Sequence, residues 1–278
     1  MSMVLLQISD PHFGTEQASV MRALTELAQA QAPSLVVLSG DITQRATRAQ
    51  FRAAKAFVDG LRVPAVLAIP GNHDIPLFAL GTRLFNPYGR YREAFGDALE
   101  PVLDSEDCLA IAVNTTRWYR HEDGEVSAAQ IERVAARLAR ATPRQLRVVV
   151  VHQPVAVTRA EDLSNLLHGR EAAIPRWAAS GADVVLGGHI HLPFVQPLHE
   201  TFAAAARASW AVQAGTALST RVRSGAPNSV NLIRYTPGEV ARQCVVERWD
   251  CAAGATRFDR MASHTLALAD NLAPSHAD

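Results

Sequence analysis

Seven side chains with metal-capable atoms stand at or just beyond the ends of short apolar runs: Asp10, His12, Asp41, Asn72, His152, His189 and His191. In VVLGGHIH, three branched apolar residues and two glycines lead to imidazoles one residue apart, His189 and His191. At that spacing on a tight loop the pair can grip two different ions. Carboxylate, amide oxygen and imidazole donors without thiolate suit Mn, Fe or Zn better than a soft metal. Seven donors are too many for one tetrahedral ion and suit two ions sharing a bridging carboxylate. Taken singly, each piece has a bland reading: Asp10 as a helix cap, Gly40-Asp41 and Gly71-Asn72 as turns, His152 as a core histidine. What sets them apart is that five separate apolar runs end in the same kind of residue.

The elements that must position these residues are legible as alternating periods. Apolar runs predict strands over 4–9, 35–38, 63–69, 109–113, 146–151 and 183–186. Helical spacing predicts helices over 18–32, 47–61, 128–140 and 171–180, the third opened by a Ser127/Gln130 capping box. Strands alternating with helices indicate parallel α/β organisation, with the C-terminal strand ends, and so the seven donors, on a shared edge. Residues 75–99 break the rhythm with prolines, glycines and five aromatics. They read either as a lid or substrate-facing loop, or as a short helix over 88–95 that caps the core. After Pro193, strands expected over 194–199, 209–213, 229–235 and 240–249 suggest an antiparallel sheet packed against the first. No repeat or linker is visible. One domain is expected over 1–263, with an exposed tail over 264–278.

Composition narrows the function classes. The chain has 278 residues, 48% of them hydrophobic, and a formal net charge of zero. A nucleic-acid binder driven by a net positive field is disfavoured. Cys108, Cys244 and Cys251 form no CxxC, so neither a disulfide framework nor a zinc ribbon is indicated, and buried thiols are expected. The N-terminal stretch lacks a basic n-region and reads as a first strand rather than a signal peptide. No apolar run approaches the ~20 residues that span a bilayer. The expected location is the cytoplasm, and assembly of identical chains is left open.

Read in order, the motifs DPH, GD, GNHD, a lone histidine after a strand, and GHIH resemble those of the calcineurin-like metallophosphoesterases over roughly residues 4–235. The texture of ISDPHFG, SGDITQRA, PGNHD and GGHIHLP is similar to the bacterial branch that includes class III cyclic-nucleotide phosphodiesterases. The resemblance implies a four-layer α-β-β-α sandwich of two mixed sheets. It implies that Asp10, His12 and His191 hold one ion, that Asn72, His152 and His189 hold the other, and that Asp41 bridges them. The ions would be Mn²⁺ or Fe²⁺/Fe³⁺, with Zn²⁺ as a further choice. His73 would face the substrate phosphate as a cation or proton donor, and Asp74 would orient His73 or cap a turn. Arg45 and Asn114 are further candidates for the second shell or the substrate. Gln44 stands where many members carry an acid paired with that histidine, and Asn114 where relatives often carry aspartate.

The activity so implied is hydrolysis of a small phosphodiester by metal-activated hydroxide, with a 3',5'-cyclic nucleotide as the substrate of choice. A phosphomonoesterase, a lipid or glycerol phosphodiesterase and a nuclease are the enzymatic alternatives. A metal-free binding scaffold is the alternative of another class, and it should have lost ligands that are all present here. His121, His168, Trp118, Tyr119, Arg221 and Arg223 read as surface residues with a lesser claim on substrate.

Overall fold

The computed structural model describes residues 3–205, 207–238 and 242–269. In chain order they form β1 (Met3–Ile8), α1 (Ala18–Gln31), β2 (Leu35–Ser39), α2 (Arg48–Gly60), β3 (Ala65–Ile69), α3 (Leu80–Phe85) and α4 (Gly89–Phe95). Next come β4 (Val102–Asp104), β5 (Cys108–Ala112), α5 (Ala128–Leu138), β6 (Leu146–Val150), α6 (Arg170–Ala179) and β7 (Val184–Gly187). The last are β8 (Phe194–Pro197), α7 (Leu198–Thr201), β9 (Trp210–Gln213), β10 (Asn228–Tyr235), β11 (Gln243–Cys251) and β12 (Asp259–Ala267).

Two mixed sheets result, ordered β12-β11-β10-β1-β2-β3 and β4-β5-β6-β7-β9-β8. Strands β1, β2 and β3 run parallel, as do β5, β6, β7 and β9, while β10 to β12 and the outer β4 and β8 pair antiparallel. Side-chain alternation explains the layering. From β1, Leu5 enters the core between the sheets, while Val4, Leu6 and Ile8 pack outward with residues of α1 and α2. From β6, Val148 and Val150 face the other sheet, and Val149 joins the layer with α5 and α6. Within that outer layer the fully buried Trp177 donates its indole N–H to the Ile131 carbonyl at 3.2 Å, tying α6 to α5. The architecture is the α-β-β-α sandwich that the motifs imply.

Three expectations change in detail. The strands after Pro193 do not build a sheet of their own, because β10 to β12 extend the first sheet and β8 and β9 complete the second. The strand expected from Val240 is described only from Gln243, and its first residues lie outside the described region. The exposed tail expected from His264 begins inside β12, where His264 pairs with Val246 and Leu266 with Cys244. This strand is an outer one with most side chains in water, so it carries no apolar alternation to read. Residues 270–278 of the expected tail lie outside the described region.

Of the two readings of residues 75–99, the short capping helix is borne out. Helix α4 buries Tyr91, whose hydroxyl donates to the Ala68 carbonyl at 2.8 Å, and so caps the core. The preceding stretch leaves Phe78, Leu80, Leu84 and Phe85 exposed. The chain crosses between sheets twice, through 70–101 and through 214–227. All three cysteines are buried and free. Among the described residues no helix is long and apolar enough to cross a membrane.

Helix starts follow the local signals. Thr47 with Gln50, and Ser127 with Gln130, form capping boxes at α2 and α5. Ser127→Ala removes an acceptor from an otherwise orphan helix N–H and should cost about 1 kcal/mol. Urea unfolding should show a lower midpoint with an unchanged slope, and an unaltered midpoint would show that the box contributes nothing.

Candidate metal centre

The parallel strands of both sheets deliver the seven donors to one place. Asp10 and His12 follow β1, Asp41 follows β2 and Asn72 follows β3; His152 follows β6, and His189 and His191 follow β7. The backbone bends sharply to aim them. Asp10, His12, Asp41, His189 and His191 have φ of 49°, 44°, 47°, 72° and 54°. Non-glycine residues rarely adopt this region, and each costs on the order of 1–3 kcal/mol unless the surroundings impose it. Two glycines make room for the convergence. A Cβ on Gly40 would collide with the His152 ring, and one on Gly188 with the Ser9 hydroxyl and the Asp10 carboxylate.

Asp10, His12 and His191 form one group of ligand atoms, and Asp41, His152 and His189 form another. His12 Nε2 lies 3.0 Å from His191 Nε2 and 3.7 Å from Asp41 Oδ2, and His191 Nε2 lies 3.5 Å from Asp10 Oδ1. In the second group His152 Nε2 lies 3.3 Å from Asp41 Oδ1 and 3.1 Å from Asn72 Oδ1. Ligands ~2.1 Å from a common ion at angles of 90–109° are ~3.0–3.4 Å apart, so most of these spacings match edges of a coordination shell. Asp41 faces both groups with different oxygens, as a bridge must.

The imidazoles are held in the tautomers that ligation needs. His152 Nδ1 donates to the Ser39 carbonyl at 2.9 Å and His191 Nδ1 to the Arg221 carbonyl at 2.7 Å, leaving both Nε2 atoms for the centre. His189 Nδ1 is a buried polar atom without a protein partner; so is His12 Nδ1, although the His12 atom that faces the centre is Nε2. The unpaired His189 nitrogen in a buried cluster with carboxylates fits a site completed by a cation.

Electrostatics supports this. Burial works against the charge on Asp41, but the facing His152 holds its carboxyl well below the usual range. Asp10 is likewise lowered against its burial, chiefly by the hydrogen bond with His191. Burial pushes His12 down to about 3, and burial with the His152 charge pushes His189 down to about 4. His152 goes the other way: burial opposes its charge, yet Asp41 raises it to about 9.

Asp74 is not at the surface of this cluster but beneath it. Its carboxylate accepts from Ile42 N, Thr43 N, Thr43 Oγ1 and Gly71 N at 2.8–2.9 Å, locking the turn after β2 to the turn after β3. It therefore sets the Asp41 and Asn72 loops relative to each other and does not contact the His73 ring through any of these bonds. Burial, then the nearby Asp41 charge, push it up to about 6.

His73 sits at the edge of the cluster. Its Nε2 is 4.0 Å from Asp41 Oδ2, and its ring meets His12 edge-on with centroids 4.8 Å apart. Proximity alone would allow a ligand group of His12, Asp41 and His73. We favour a position outside the ligand set, because its distance to Asp41 is longer than that of His12 or His152, and its ring is engaged elsewhere. His73 Nδ1 donates to the Gln44 carbonyl at 3.1 Å, and Arg221 Nη1 donates to its Nε2 at 3.1 Å. The same Arg221 nitrogen donates to Gln44 Oε1 at 3.1 Å.

Arg221 is the residue that sequence reasoning undervalued. It lies in the second crossing between sheets, carries no motif, and resembles any exposed arginine. Arg223 beside it donates to Asp162 at 2.7 Å and to the Ile190 carbonyl at 3.2 Å, bracing the histidine turn. Asn114 is not brought to the cluster. Its amide oxygen folds back onto Thr116 N and Oγ1, which makes it a turn-forming residue. Trp118 and Tyr119 are exposed, and His168 faces Asp123 at 3.5 Å. Arg45 lies in the outer lobe of the cleft, its guanidinium 5.5 Å from the Phe78 ring centroid.

The cleft over the centre has an inner lobe of about 500 Å³ that includes Asp41, His189 and His191. An outer lobe of about 290 Å³ adjoins it. A larger groove of about 590 Å³ between α2 and α4 contains none of the seven donors in its lining and lies away from this chemistry.

Two outcomes follow from this geometry. A ligating imidazole must give up its proton, and His152 keeps its own up to about pH 9 in the metal-free protein. Metal uptake at pH 7 should therefore release protons, and affinity should rise with pH towards 9. Calorimetry in buffers of different ionisation enthalpy measures this; uptake without proton release would contradict it. Asp74→Ala leaves the N–H groups of Ile42, Thr43 and Gly71 unpaired at ~1–3 kcal/mol each, so a loss of about 3 kcal/mol or more is expected. Metal occupancy should fall with it, and full occupancy with unchanged stability would refute the locking role.

Comparison with known proteins agrees with the geometry. The family profile for calcineurin-like phosphoesterases matches residues 3–193. A probable cyclic nucleotide phosphodiesterase of Synechococcus sp. is 28% identical over 208 residues, covering 70% of this chain and 76% of that protein. Among solved structures, a dimetal phosphatase from Danio rerio superposes with a TM-score of 0.67 at 14% identity, over 96% of this chain and 99% of the other. The purple acid phosphatase PPD1 of yellow lupin, Lupinus luteus, gives 0.72 at 12% identity over 96% of this chain. This chain spans only 54% of the lupin protein, and both likenesses concern the fold. Since the profile runs through β1 to the histidine pair and carries all seven donors in order, the chain belongs to the calcineurin-like phosphoesterase family.

Proposed function

We propose that the protein is a dinuclear-metal phosphodiesterase. The observation that carries this reading is the convergence of seven oxygen and nitrogen donors in two groups that share Asp41, with His73 and Arg221 beside them on the open side. Asp10, His12 and His191 would hold one ion, and Asn72, His152 and His189 the other. Mn²⁺ and Fe²⁺/Fe³⁺ suit this donor set, and Zn²⁺ is also compatible. When bound, two such ions supply Lewis acidity towards a phosphoryl group and towards water.

The chain's own residues do the rest. Asp41 keeps the two halves of the centre together. Arg221 offers a cation to a phosphoryl oxygen at the point where the two lobes meet. His73 is oriented by the Gln44 carbonyl, and its Nε2 faces Arg221; once Arg221 turns to the phosphoryl group, that nitrogen would take up a proton from solvent and pass it to the leaving oxygen. A carbonyl in place of the usual acid leaves His73 Nδ1 with a neutral partner. A small phosphodiester fits this arrangement, and the Synechococcus relative supports a cyclic nucleotide as the first substrate to try.

Activity should be lost on metal removal and return best with Mn²⁺, and the Mn²⁺-loaded protein should cleave bis(4-nitrophenyl) phosphate faster than 4-nitrophenyl phosphate. The reverse preference would overturn the diesterase reading, and full activity without metal would overturn the metal reading. His73→Ala should lower kcat by on the order of 10² or more for an alkyl leaving group, and by less for nitrophenolate, which needs little protonation. Its metal content should stay unchanged. Equal losses on both substrates would leave His73 a purely electrostatic role.

A further inference from the structure

The outer lobe of the cleft carries charge that the centre does not need. The two lobes meet at Asn72, His73, Glu122 and Arg221, which line both. Arg45 and Arg83 line only the outer one. Each of the three arginines is held by a neutral group. Arg221 donates to Gln44 Oε1 and His73 Nε2, Arg83 donates to the Arg120 carbonyl at 2.7 Å, and Arg45 lies over the Phe78 ring. Elsewhere in the chain many arginines lie against carboxylates, as Arg48 does with Glu93 and Arg176 with Glu132. The single carboxylate in the outer lining, Glu122, has the imidazole of His121 3.3 Å away.

Guanidinium groups with neutral anchors keep their full charge for a ligand, and their planar donors match phosphate and carboxylate oxygens. The scissile phosphoryl group is already served by the inner lobe and by Arg221. Arg45 and Arg83 lie beyond it, on the side where one of the two alcohol halves of a diester must extend. Leu77 and Ile75 give that lobe a partly apolar floor.

We propose that the outer lobe is an anion subsite, and that the substrate is a phosphodiester carrying a second phosphate or similar anionic group on one alcohol half. A nucleotide with a second phosphate has this chemistry, whereas a cyclic mononucleotide has only the scissile charge. The inference rests on the phosphodiesterase reading and turns its substrate class away from a cyclic mononucleotide. Arg45 and Arg83 contact the second anion, and Arg221 stands between it and the reacting phosphoryl group.

A matched pair of probes isolates the subsite: the 4-nitrophenyl ester of thymidine 5'-phosphate, and the same ester carrying a 3'-phosphate. The Mn²⁺-loaded protein should favour the second by about tenfold or more in kcat/KM, the scale of charge-assisted hydrogen bonds. Raising the salt concentration should shrink that ratio. Arg45→Gln and Arg83→Gln should each lower the ratio, and the double variant should abolish it, with metal content retained. Equal kcat/KM for the two esters, or a preference that survives the double variant, would overturn the subsite. Calorimetric binding of thymidine 3',5'-bisphosphate against thymidine 5'-phosphate reads the subsite independently of turnover. Preferential binding of the bisphosphate without cleavage of either ester would remove the diesterase reading and keep the subsite. Equal binding would remove the subsite alone.

Discussion

Asp41 lies 2% exposed where the two sheets converge, so almost no water solvates its charge. A carboxylate in that position is tolerated only among positive partners, because an isolated buried charge is prohibitively expensive. Much of the local structure serves this one requirement. His152 comes from the opposite sheet to face one of its oxygens, and His12 faces the other. His73 N donates to Oδ1 at 2.8 Å, so the 3₁₀ turn that starts at Asn72 is folded around the same group. Gly40 and Gly71 bring the neighbouring backbone closer than any side chain would permit. In the metal-free protein the raised imidazoles of His152 and His191 supply part of the missing positive charge, and cations would supply the rest.

The strained backbone at the donors is part of the same arrangement. Five positions with left-handed φ would be a liability in a loop held only by its ends. Here each turn is fixed from outside. Asp74 clamps two turns through four hydrogen bonds, Thr216 Oγ1 donates to the Asp10 carbonyl at 2.6 Å, and Asp10 itself accepts from His189 N at 3.0 Å. The geometry is thus set by the protein before any ion arrives, which favours a centre with defined positions over a flexible chelator.

What could be read from the sequence was what leaves a local trace. The buried parallel strands are continuous apolar runs, and each ends in a polar residue that has no business in a core, so β1, β2, β3, β6 and β7 and their seven donors were visible together. The start of α5 was visible because Ser127 and Gln130 stand three apart, the spacing that lets each cap the other's backbone. β12 was hidden because its side chains are mostly solvated, and the three-residue β4 was too short to show a period. The assignment of β10 to β12 to the first sheet was hidden for a different reason: which sheet a strand joins depends on contacts more than two hundred residues away in sequence, such as Leu6 with Leu232. Arg221 was read mainly as a surface residue because its place beside His73 comes from where a loop happens to lie. Asn114 misled because a polar residue at a strand end can equally be spent on closing its own turn.

The two crossings between sheets have a consequence for how such a protein can change. All seven donors except Asn72 lie outside them, on turns that leave the ends of the parallel strands, whereas Ile75, Leu77 and Arg83 ride on the first crossing and Arg221 and Arg223 on the second. The walls of the cleft and the centre at its base are therefore built from largely separate stretches of chain. Side-chain substitution at Leu77 or Arg83 can alter the wall without touching the donor turns, whereas the second crossing is tied to them through Thr216, the Arg221 carbonyl and Arg223. The first crossing is therefore the freer of the two walls to drift, and the second is constrained by the turns it supports.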